Sequence, residues 1–541
     1  MAIRSFLTLR RFTLLVAIAL TAASVLVLAV RATHAGGLWR DEAGAVQVAL
    51  MPSIHDITKV FQHEAFPLLF PLTVRTYAAV AGTGDAAFRI FGLLVDLALI
   101  AALWTTARTV TGTVPLLSIA LLGLNPSVLV WAGSIRGYGM GAVLMLTTLS
   151  LIWRVVTAPN WWTIALTAIA AICSVQTLYY NAVMLFALTI AGAAVAARNG
   201  HWKRVLLLFG IGAIAAVSLI PYLSVLRSAD WTNVITLRYF PFSLFRVKLF
   251  EPLMSAGPAW GWVWLLLVAG GITASATAQI RETAPQQHGT RDASLYCLVA
   301  LIVALPAYFV FLKILRYPTR PWYYVALMTL MAVALEGGLV AVPWQWWKEW
   351  GRPALAGAIG LFSFMPAWQT AHLRQTNIDL ISAQLEQRAI AGDVIVVAPW
   401  YYGVSFDRYY KGKATWMTLP RIEDHKIHRY DLVKERMKAT NPIKPVLEAM
   451  AGALQSGHSV WVVGGLSWRE SGEAPPQLAP APYDPVAWDE SAYNDAWSAQ
   501  AAYLLQTTRG TSAETIPVSD EQSINSYERA KLIVVRRRQG P

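Results

Sequence analysis

Charged side chains are scarce in this chain of 541 residues. Asp, Glu, Lys and Arg together make up 14% of it, whereas hydrophobic residues make up 56%. Because about a quarter of the residues in soluble domains are charged, this composition excludes an ordinary soluble domain. A mean hydropathy of +0.46, with repeated apolar runs of about twenty residues, instead predicts a polytopic membrane protein.

Cysteine is almost absent. The two cysteines, Cys173 and Cys297, both lie in apolar runs, so the polar tail of the chain cannot form disulfides. That usage is typical of a bacterial envelope protein.

Acidic residues are fewer than basic ones, and the formal charge of +13 raises the question of nucleic-acid binding. Many of the Lys and Arg residues stand between apolar runs, where membrane topology and anionic lipids explain them better. We therefore expect membrane lipids, and no nucleic acid, as partners.

Apolar segments predict the membrane spans. One of them, 65–82, carries Arg75 in its middle and two prolines, which favours a helix lying in the membrane interface. With that segment on the surface, the sequence predicts about 11 transmembrane helices. They are 12–32, 86–107, 113–132, 137–157, 161–176, 178–197, 203–224, 258–280, 293–312, 322–342 and 353–371.

The basic residues then set the orientation. Arg4, Arg10 and Arg11 precede the first span, which we interpret as uncleaved, and short basic loops follow on the same side. The positive-inside rule makes that side cytoplasmic. We expect a multi-pass protein of the bacterial inner membrane with its C-terminal domain in the periplasm.

The chain divides into a membrane domain, 1–371, and a tail, 372–541. The tail contains β-rich runs at 393–398, 459–463 and 532–535 and helix candidates at 378–390 and 446–454, which predict a small α/β domain. The fold class is thus mainly α, with a small extracytoplasmic α/β domain at the C-terminus.

Familiar catalytic motifs are missing: the sequence shows no His/Cys metal spacing, no Gly-Lys-Ser phosphate loop and no Ser-His-Asp arrangement. Polar clusters on the outer side are therefore the candidates. Asp41-Glu42 directly follows the first span, where a carboxylate near a low-dielectric boundary suits general base catalysis or a hard cation. An acidic pair at a helix start explains it equally well. His63-Glu64 follows, with a helix cap and a solvated histidine as the alternative interpretation.

Cations on the outer side form the second group of candidates. Arg89 opens a span, and Arg136 and Tyr138 lie in an outer turn. Three cations, Lys313, Arg316 and Arg320, lie within eight residues beside aromatic side chains, against the positive-inside trend. A bound anion would compensate such a cluster, and phosphate matches arginine well.

The order of these pieces resembles the GT-C superfamily of glycosyltransferases. Within it, the chain is similar to the bacterial protein O-mannosyltransferase-like enzymes of glycosyltransferase family 39, which include the aminoarabinose transferase of lipid A. The pieces that carry the resemblance are Trp39-Arg40-Asp41-Glu42, Glu64-Ala65-Phe66-Pro67, Phe88-Arg89-Ile90, Arg136-Gly137-Tyr138 and the loop 316–324. The tail resembles the family poorly.

The resemblance implies an inverting transfer from a polyprenyl-phosphate sugar to a glycan, lipid or protein acceptor at the outer membrane face. Asp41 would be the general base and Glu42 would assist it or bind acceptor or metal. Donor phosphate and substrate would be bound by residues carried over by position: His63, Glu64, Arg89, Arg136, Tyr138, Lys313, Arg316 and Arg320.

Arg136-Gly137-Tyr138 stands where many relatives have an acidic residue, which weakens a metal role. A lipid phosphate leaving group also removes the need for the metal used on nucleotide diphosphates. We therefore expect no metal and no other cofactor, although Asp41 and Glu42 are residue types that hold a divalent cation.

Two alternatives to a transferase of this kind stay open. One is a ligase or polymerase of glycans on a polyprenyl diphosphate. The other is a transporter or flippase of lipid-linked sugars, which usually shows inverted repeats and polar midplane residues. Here the polar residues gather at one face, which favours transfer.

Overall fold

The chain forms two compact units. The computed structural model describes residues 2–63, 66–228, 232, 234–237, 239–280, 288–470, 473–484, 487–518 and 522–537, with side chains except at 2–10, 226 and 228. The first unit comprises 1–33, 66–224 and 239–372. The second comprises 34–65, 225–238 and 373–541, so the loop after the first span groups with the tail.

The first unit is helical. Its α-helices are Ala2–His34, Leu69–Ala81, Asp85–Thr106, Leu117–Leu122, Pro126–Trp131, Gly137–Thr157, Trp161–Thr177, Asn181–Arg198, Trp202–Val217, Phe242–Leu253, Trp260–Ile280, His288–Leu315, Val325–Val340 and Arg352–Ala371. A further helix, Leu223–Ser228, begins in the first unit and ends in the second. Short 3₁₀ turns, Ile220–Tyr222 and Pro321–Tyr324, and π turns, Ala107–Thr111 and Trp347–Gly351, join some of them.

Eight helices within the described residues are long and apolar enough to cross a membrane. They are Arg11–His34, Asp85–Thr111, Gly137–Thr157, Asn181–Arg198, Trp202–Val225, Trp260–Ile280, His288–Leu315 and Pro321–Val340. The chain is thus a multi-pass membrane protein of mainly α class with a small sheet near its C-terminus, as predicted. The Pro321–Val340 span is fully buried, which places it in the middle of the bundle.

Three segments account for the difference between eight helices and the eleven expected. Trp161–Thr177 has 17 residues, and Arg352–Ala371 is less apolar than the eight. The prediction of one continuous span over 113–132 is wrong, because Pro126 and the side chain of Asn125, which accepts the N–H of Val128 at 2.9 Å, start a new helix there. The interfacial candidate at 65–82 is a helix of 13 residues, Leu69–Ala81, too short to span a bilayer.

A buried ion pair ties three segments of the first unit together. The guanidinium of Arg352 contacts Oε1 of Glu336, and the side chains are only 5% and 2% exposed. Oε2 of Glu336 accepts the N–H groups of Leu116 and Ser118 at 2.9 and 3.0 Å. The carboxylate therefore satisfies both a buried charge and the start of helix Leu117–Leu122.

The second unit is an α/β domain built on a five-stranded sheet. Its strands are β1 (Val394–Ala398), β2 (Thr415–Thr418), β3 (Val460–Gly464), β4 (Thr511–Ile516) and β5 (Lys531–Arg537), in the order β2-β1-β3-β5-β4. β1 is parallel to β2 and β3, whereas β5 is antiparallel to β3 and β4. Helices Arg40–Ala49, Ile54–Lys59, Ile378–Arg388, Gly403–Tyr409, Tyr430–Lys438, Lys444–Gln455 and Glu490–Thr507 complete the unit, with 3₁₀ turns Trp400–Tyr402 and Ser526–Glu528.

Alternate residues of the central strands enter two separate cores. In β1, Val394 and Val396 pack in one core, and Ile395 and Val397 pack in the other. Because both faces of the sheet are covered, the strands appear in the sequence as continuous apolar runs. The three β-rich runs and both helix candidates of the tail are confirmed.

Candidate functional site

Asp41 lies in the first turn of helix Arg40–Ala49, in the second unit. The helix follows Gly36, whose φ of 67° suits glycine at the turn that leaves the first span. The Asp41 side chain is 18% exposed, and its Oδ1 lies 3.5 Å from Nε of Arg40 and 3.8 Å from Nε2 of His428. A partly exposed carboxylate beside two basic groups is suited to accept a proton from a hydroxyl.

Glu42 has a different environment. It is fully buried, and its Oε2 accepts the backbone N–H of Trp39 at 3.3 Å, a hydrogen bond at the helix start. Glu42 thus has the structural role that the sequence left open, that of an acidic residue at a helix N-terminus. Its assisting role in catalysis stays a prediction.

Arg40 anchors this helix to the C-terminal part of the unit. Its backbone N–H donates to Oε2 of Glu528 at 2.9 Å, and its Nη1 donates to the carbonyl of Tyr527 at 2.8 Å. The guanidinium lies 4.6 Å from the ring centre of Tyr401, at the distance of a cation–π contact. Trp400, the neighbour of Tyr401, is 2% exposed and packs in the core beside β1.

Glu528 is the buried centre of this contact. Besides Arg40, Oε1 accepts the hydroxyls of Ser405 at 2.7 Å and Thr376 at 2.9 Å. Burial raises the pKa of Glu528 to about 7, although the charge of Arg40 and these hydrogen bonds oppose the shift. This carboxyl group therefore gains and loses its proton near neutral pH.

His63 also lies in the second unit and is buried. Its Nδ1 lies 3.8 Å from Oδ1 of Asp431, which in turn accepts two hydrogen bonds from Arg429, at 2.8 and 2.6 Å. Burial alone would raise the pKa of Asp431, but Arg429 and His63 bring it below its usual value. His63 thus meets an ion pair of the tail, and Glu64 lies outside the described residues.

In the first unit, two of the predicted stretches meet. Arg136 precedes helix Gly137–Thr157 and is 8% exposed, with its guanidinium 4.3 Å from the ring centre of Phe66. Tyr138 meets the rings of both Phe66 and Tyr323 edge-on, each at 5.8 Å. The outer turn at 136–138 and the late aromatic loop therefore share one cluster, which we call the Phe66 cluster: Phe66, Arg136, Tyr138 and Tyr323.

The cations of the late loop lie close to Tyr323 of this cluster in the sequence. Lys313, Arg316 and Arg320 are exposed, and Arg316 has a φ of 51°, in the left-handed region. The hydroxyl of Tyr323 donates to the hydroxyl of Tyr317 at 2.9 Å, and its carbonyl accepts from Tyr308 at 2.6 Å. Among the described residues, Lys313 and Arg316 form no ion pair.

The candidate residues thus fall into two groups. Asp41, Glu42 and His63 lie in the second unit, whereas Arg89, Arg136, Tyr138, Lys313, Arg316 and Arg320 lie in the first. Arg89 is half-buried near the start of helix Asp85–Thr106. The predictions from the sequence did not include His428 and Glu528. No motif links them to the loop, since Glu528 and Arg40 are 488 positions apart.

Comparison with known proteins identifies the fold. No protein-family model and no curated protein sequence matches the chain. Among solved structures, it is similar to ArnT from Cupriavidus metallidurans bound to undecaprenyl phosphate, at 14% identity and a TM-score of 0.53 over 96% of this chain and 97% of that one. The apo state of ArnT aligns at 14% identity and a TM-score of 0.52, over 83% of this chain and 92% of that one.

The chain therefore has the fold of ArnT, in agreement with the GT-C-like fold expected from the sequence. The likeness to ArnT extends over nearly the whole of both chains and thus includes the tail. A more distant match, at 12% identity and a TM-score of 0.40, is the oligosaccharyltransferase AglB from Archaeoglobus fulgidus, which covers 82% of this chain and 69% of its own.

The raised pKa of Glu528 predicts how the stability of the protein depends on pH. The pKa of Glu528 is about 7 in the folded protein, whereas the pKa of a glutamate in an unfolded chain is about 4.3. The protonated carboxyl group therefore contributes its full stabilisation of the fold below pH values of about 4.3. This contribution is lost as the pH rises through 7, and amounts to roughly 4 kcal/mol. The stability of Glu528→Gln, relative to that of the wild type, should therefore be lowest at pH 5 and highest at pH 8.

Thermal unfolding in detergent at several pH values measures this difference. Glu514→Gln is the control, because Glu514 is exposed on β4. A difference between Glu528→Gln and the wild type that is constant from pH 5 to pH 8 would contradict the assignment.

Proposed function

We propose that the chain is an inverting glycosyltransferase that moves a sugar from a polyprenyl-phosphate donor to an envelope glycan, lipid or protein. One observation supports this most strongly: the likeness over nearly the full chain to ArnT, a structure of which contains undecaprenyl phosphate. The membrane-spanning first unit suits a donor whose carrier is a lipid. We place the protein in the bacterial inner membrane, with residues 372–541 as a periplasmic domain.

The reaction would proceed in one displacement at the anomeric carbon. Asp41 accepts the proton of the acceptor hydroxyl while that oxygen forms a bond to the anomeric carbon. The bond from this carbon to the phosphate oxygen breaks, and its electron pair leaves with polyprenyl phosphate. Because a single displacement reverses the configuration, the transfer inverts the sugar.

We assign the donor phosphate to the cations of the first unit. Lys313 and Arg316 are exposed and have no ion-pair partner among the described residues, while Arg136 is held over Phe66. Charge-assisted hydrogen bonds from such groups strengthen as negative charge develops on the leaving phosphate. Arg89, Arg320 and Tyr138 belong to the same assignment.

Asp41→Asn should abolish transfer and spare donor binding. Loss of a general base lowers kcat by roughly 10²–10⁴-fold, whereas the donor contacts lie on other residues. Transfer is measured with a radiolabelled polyprenyl-phosphate sugar and an envelope extract, and binding with the labelled lipid alone. The control is Asp56→Asn, which changes a half-exposed acid in the first turn of helix Ile54–Lys59 and should behave as wild type. Normal transfer by Asp41→Asn would remove Asp41 from the mechanism.

The double variant Lys313→Gln/Arg316→Gln should weaken donor binding. Two charge-assisted contacts to phosphate correspond to about tenfold or more in Kd, and the salt dependence of binding should become shallower. Lys203→Gln is the matched control, since Lys203 is also exposed in the first unit. Unchanged binding by the double variant would move the phosphate site elsewhere.

We also propose that transfer needs no divalent cation, because the leaving group is a single lipid phosphate rather than a nucleotide diphosphate. Activity should survive exhaustive treatment with EDTA. Activity that is lost and returns only with added Mg²⁺ or Mn²⁺ would contradict this and point to a cation at Asp41 and Glu42.

A further inference from the structure

A histidine from the tail faces the carboxylate that we assign as the base. Nε2 of His428 lies 3.8 Å from Oδ1 of Asp41, and His428 is 8% exposed. Its ring lies nearly parallel to Tyr430, at 6.3 Å and 23°, and edge-on to Trp400, at 6.1 Å and 80°. Aromatic packing on two sides therefore fixes the plane of the imidazole.

Charged groups surround this pair from several elements. Arg40 contacts the same oxygen of Asp41, Oδ1, at 3.5 Å. Glu490, on helix Glu490–Thr507, accepts the indole N–H of Trp400, and its burial raises its pKa although His428 and Arg40 oppose this. Asp431, in the helix that follows His428, pairs with Arg429 and lies 3.8 Å from His63. The Asp41 carboxylate thus lies between a permanent cation and a histidine.

The topology of the sheet also bears on the position of Asp41 and His428. The three strands β2, β1 and β3 are parallel. From β1 the chain adds β2 on one side and then β3 on the other, so the order in which strands are added reverses between β1 and β3. Sheets of this kind bind ligands beyond the carboxyl ends of their strands at this point. Here Tyr401, in the turn that follows β1, lies against the guanidinium of Arg40. The turn at the carboxyl end of β1 therefore contacts the helix that carries Asp41.

We propose that His428 is a positioning residue for Asp41, so that the C-terminal domain forms part of the catalytic apparatus rather than a separate acceptor-binding module. The imidazole, held by Tyr430 and Trp400, limits the orientation of the Asp41 carboxylate. This inference rests on the proposed function of Asp41 in transfer.

The test compares His428→Gln with His458→Gln. His458 is the matched control because it makes the same kind of contact, Nδ1 to Oδ1 of Asp393 at 3.8 Å, elsewhere in the second unit. In His428→Gln, kcat should fall about tenfold or more, with the KM for the donor changed less than about twofold. His458→Gln should leave kcat unchanged.

Activity is expressed per donor-binding site, so that a poorly folded variant is not scored as inactive, and the smaller His428→Asn is measured in parallel. Wild-type kcat in both His428 variants would overturn the inference, as would a loss that only follows the number of binding sites. If Asp41→Asn is inactive while the His428 variants are normal, this inference alone fails. If Asp41→Asn is active, the proposed function of Asp41 fails as well.

Discussion

The contact between Glu528 and the backbone N–H of Arg40 is the interaction on which the candidate site depends. It joins the last 3₁₀ turn of the chain to the helix that follows the first span. A helix of ten residues is only marginally stable by itself, so tertiary contacts such as this one hold it in place. Ser405 and Thr376 fix the Glu528 carboxyl group from two further segments, so four stretches of the second unit converge on one buried side chain.

This arrangement changes the interpretation of the tail. The loop at 34–65 and residues 373–541 form one compact unit, and the sheet edge where such domains bind ligands is used to hold Arg40 and Asp41. In the first unit, the Phe66 cluster performs a comparable function for the cations, because Arg136 and the late loop are joined through Phe66, Tyr138 and Tyr323. Each unit thus organises one set of chemical groups.

Features that depend on local pattern could be predicted from the sequence. The apolar runs predicted the long helices, and β-branched runs predicted β1, β3 and β5. β4 was missed because it is an edge strand with mostly exposed residues, which lack the apolar pattern of a buried strand. The break in 113–132 was missed because hydropathy averages over Asn125-Pro126, whereas capping and proline geometry decide where a helix starts.

The candidate site shows the same limit. Asp41 and the cations were found because charge is costly beside a membrane and therefore conspicuous in the sequence. The partners of Asp41 could not be found in this way. His428 and Glu528 are ordinary polar residues of a polar tail, and they meet the loop only through tertiary contacts over long separations. The hydrogen bond from Trp39 N–H to Glu42, which gives this residue its structural role at the helix start, could not be foreseen from the sequence either.

A donor labelled separately in its sugar and its phosphate distinguishes sugar transfer from transport of the intact donor. With purified protein in nanodiscs and an envelope extract, we expect the sugar label to move to an acceptor while the phosphate label stays on the lipid as polyprenyl monophosphate. Movement of both labels together, as unchanged donor across the membrane, would contradict transfer and indicate a transporter. Turnover only with a polyprenyl diphosphate carrier would indicate a ligase or polymerase instead.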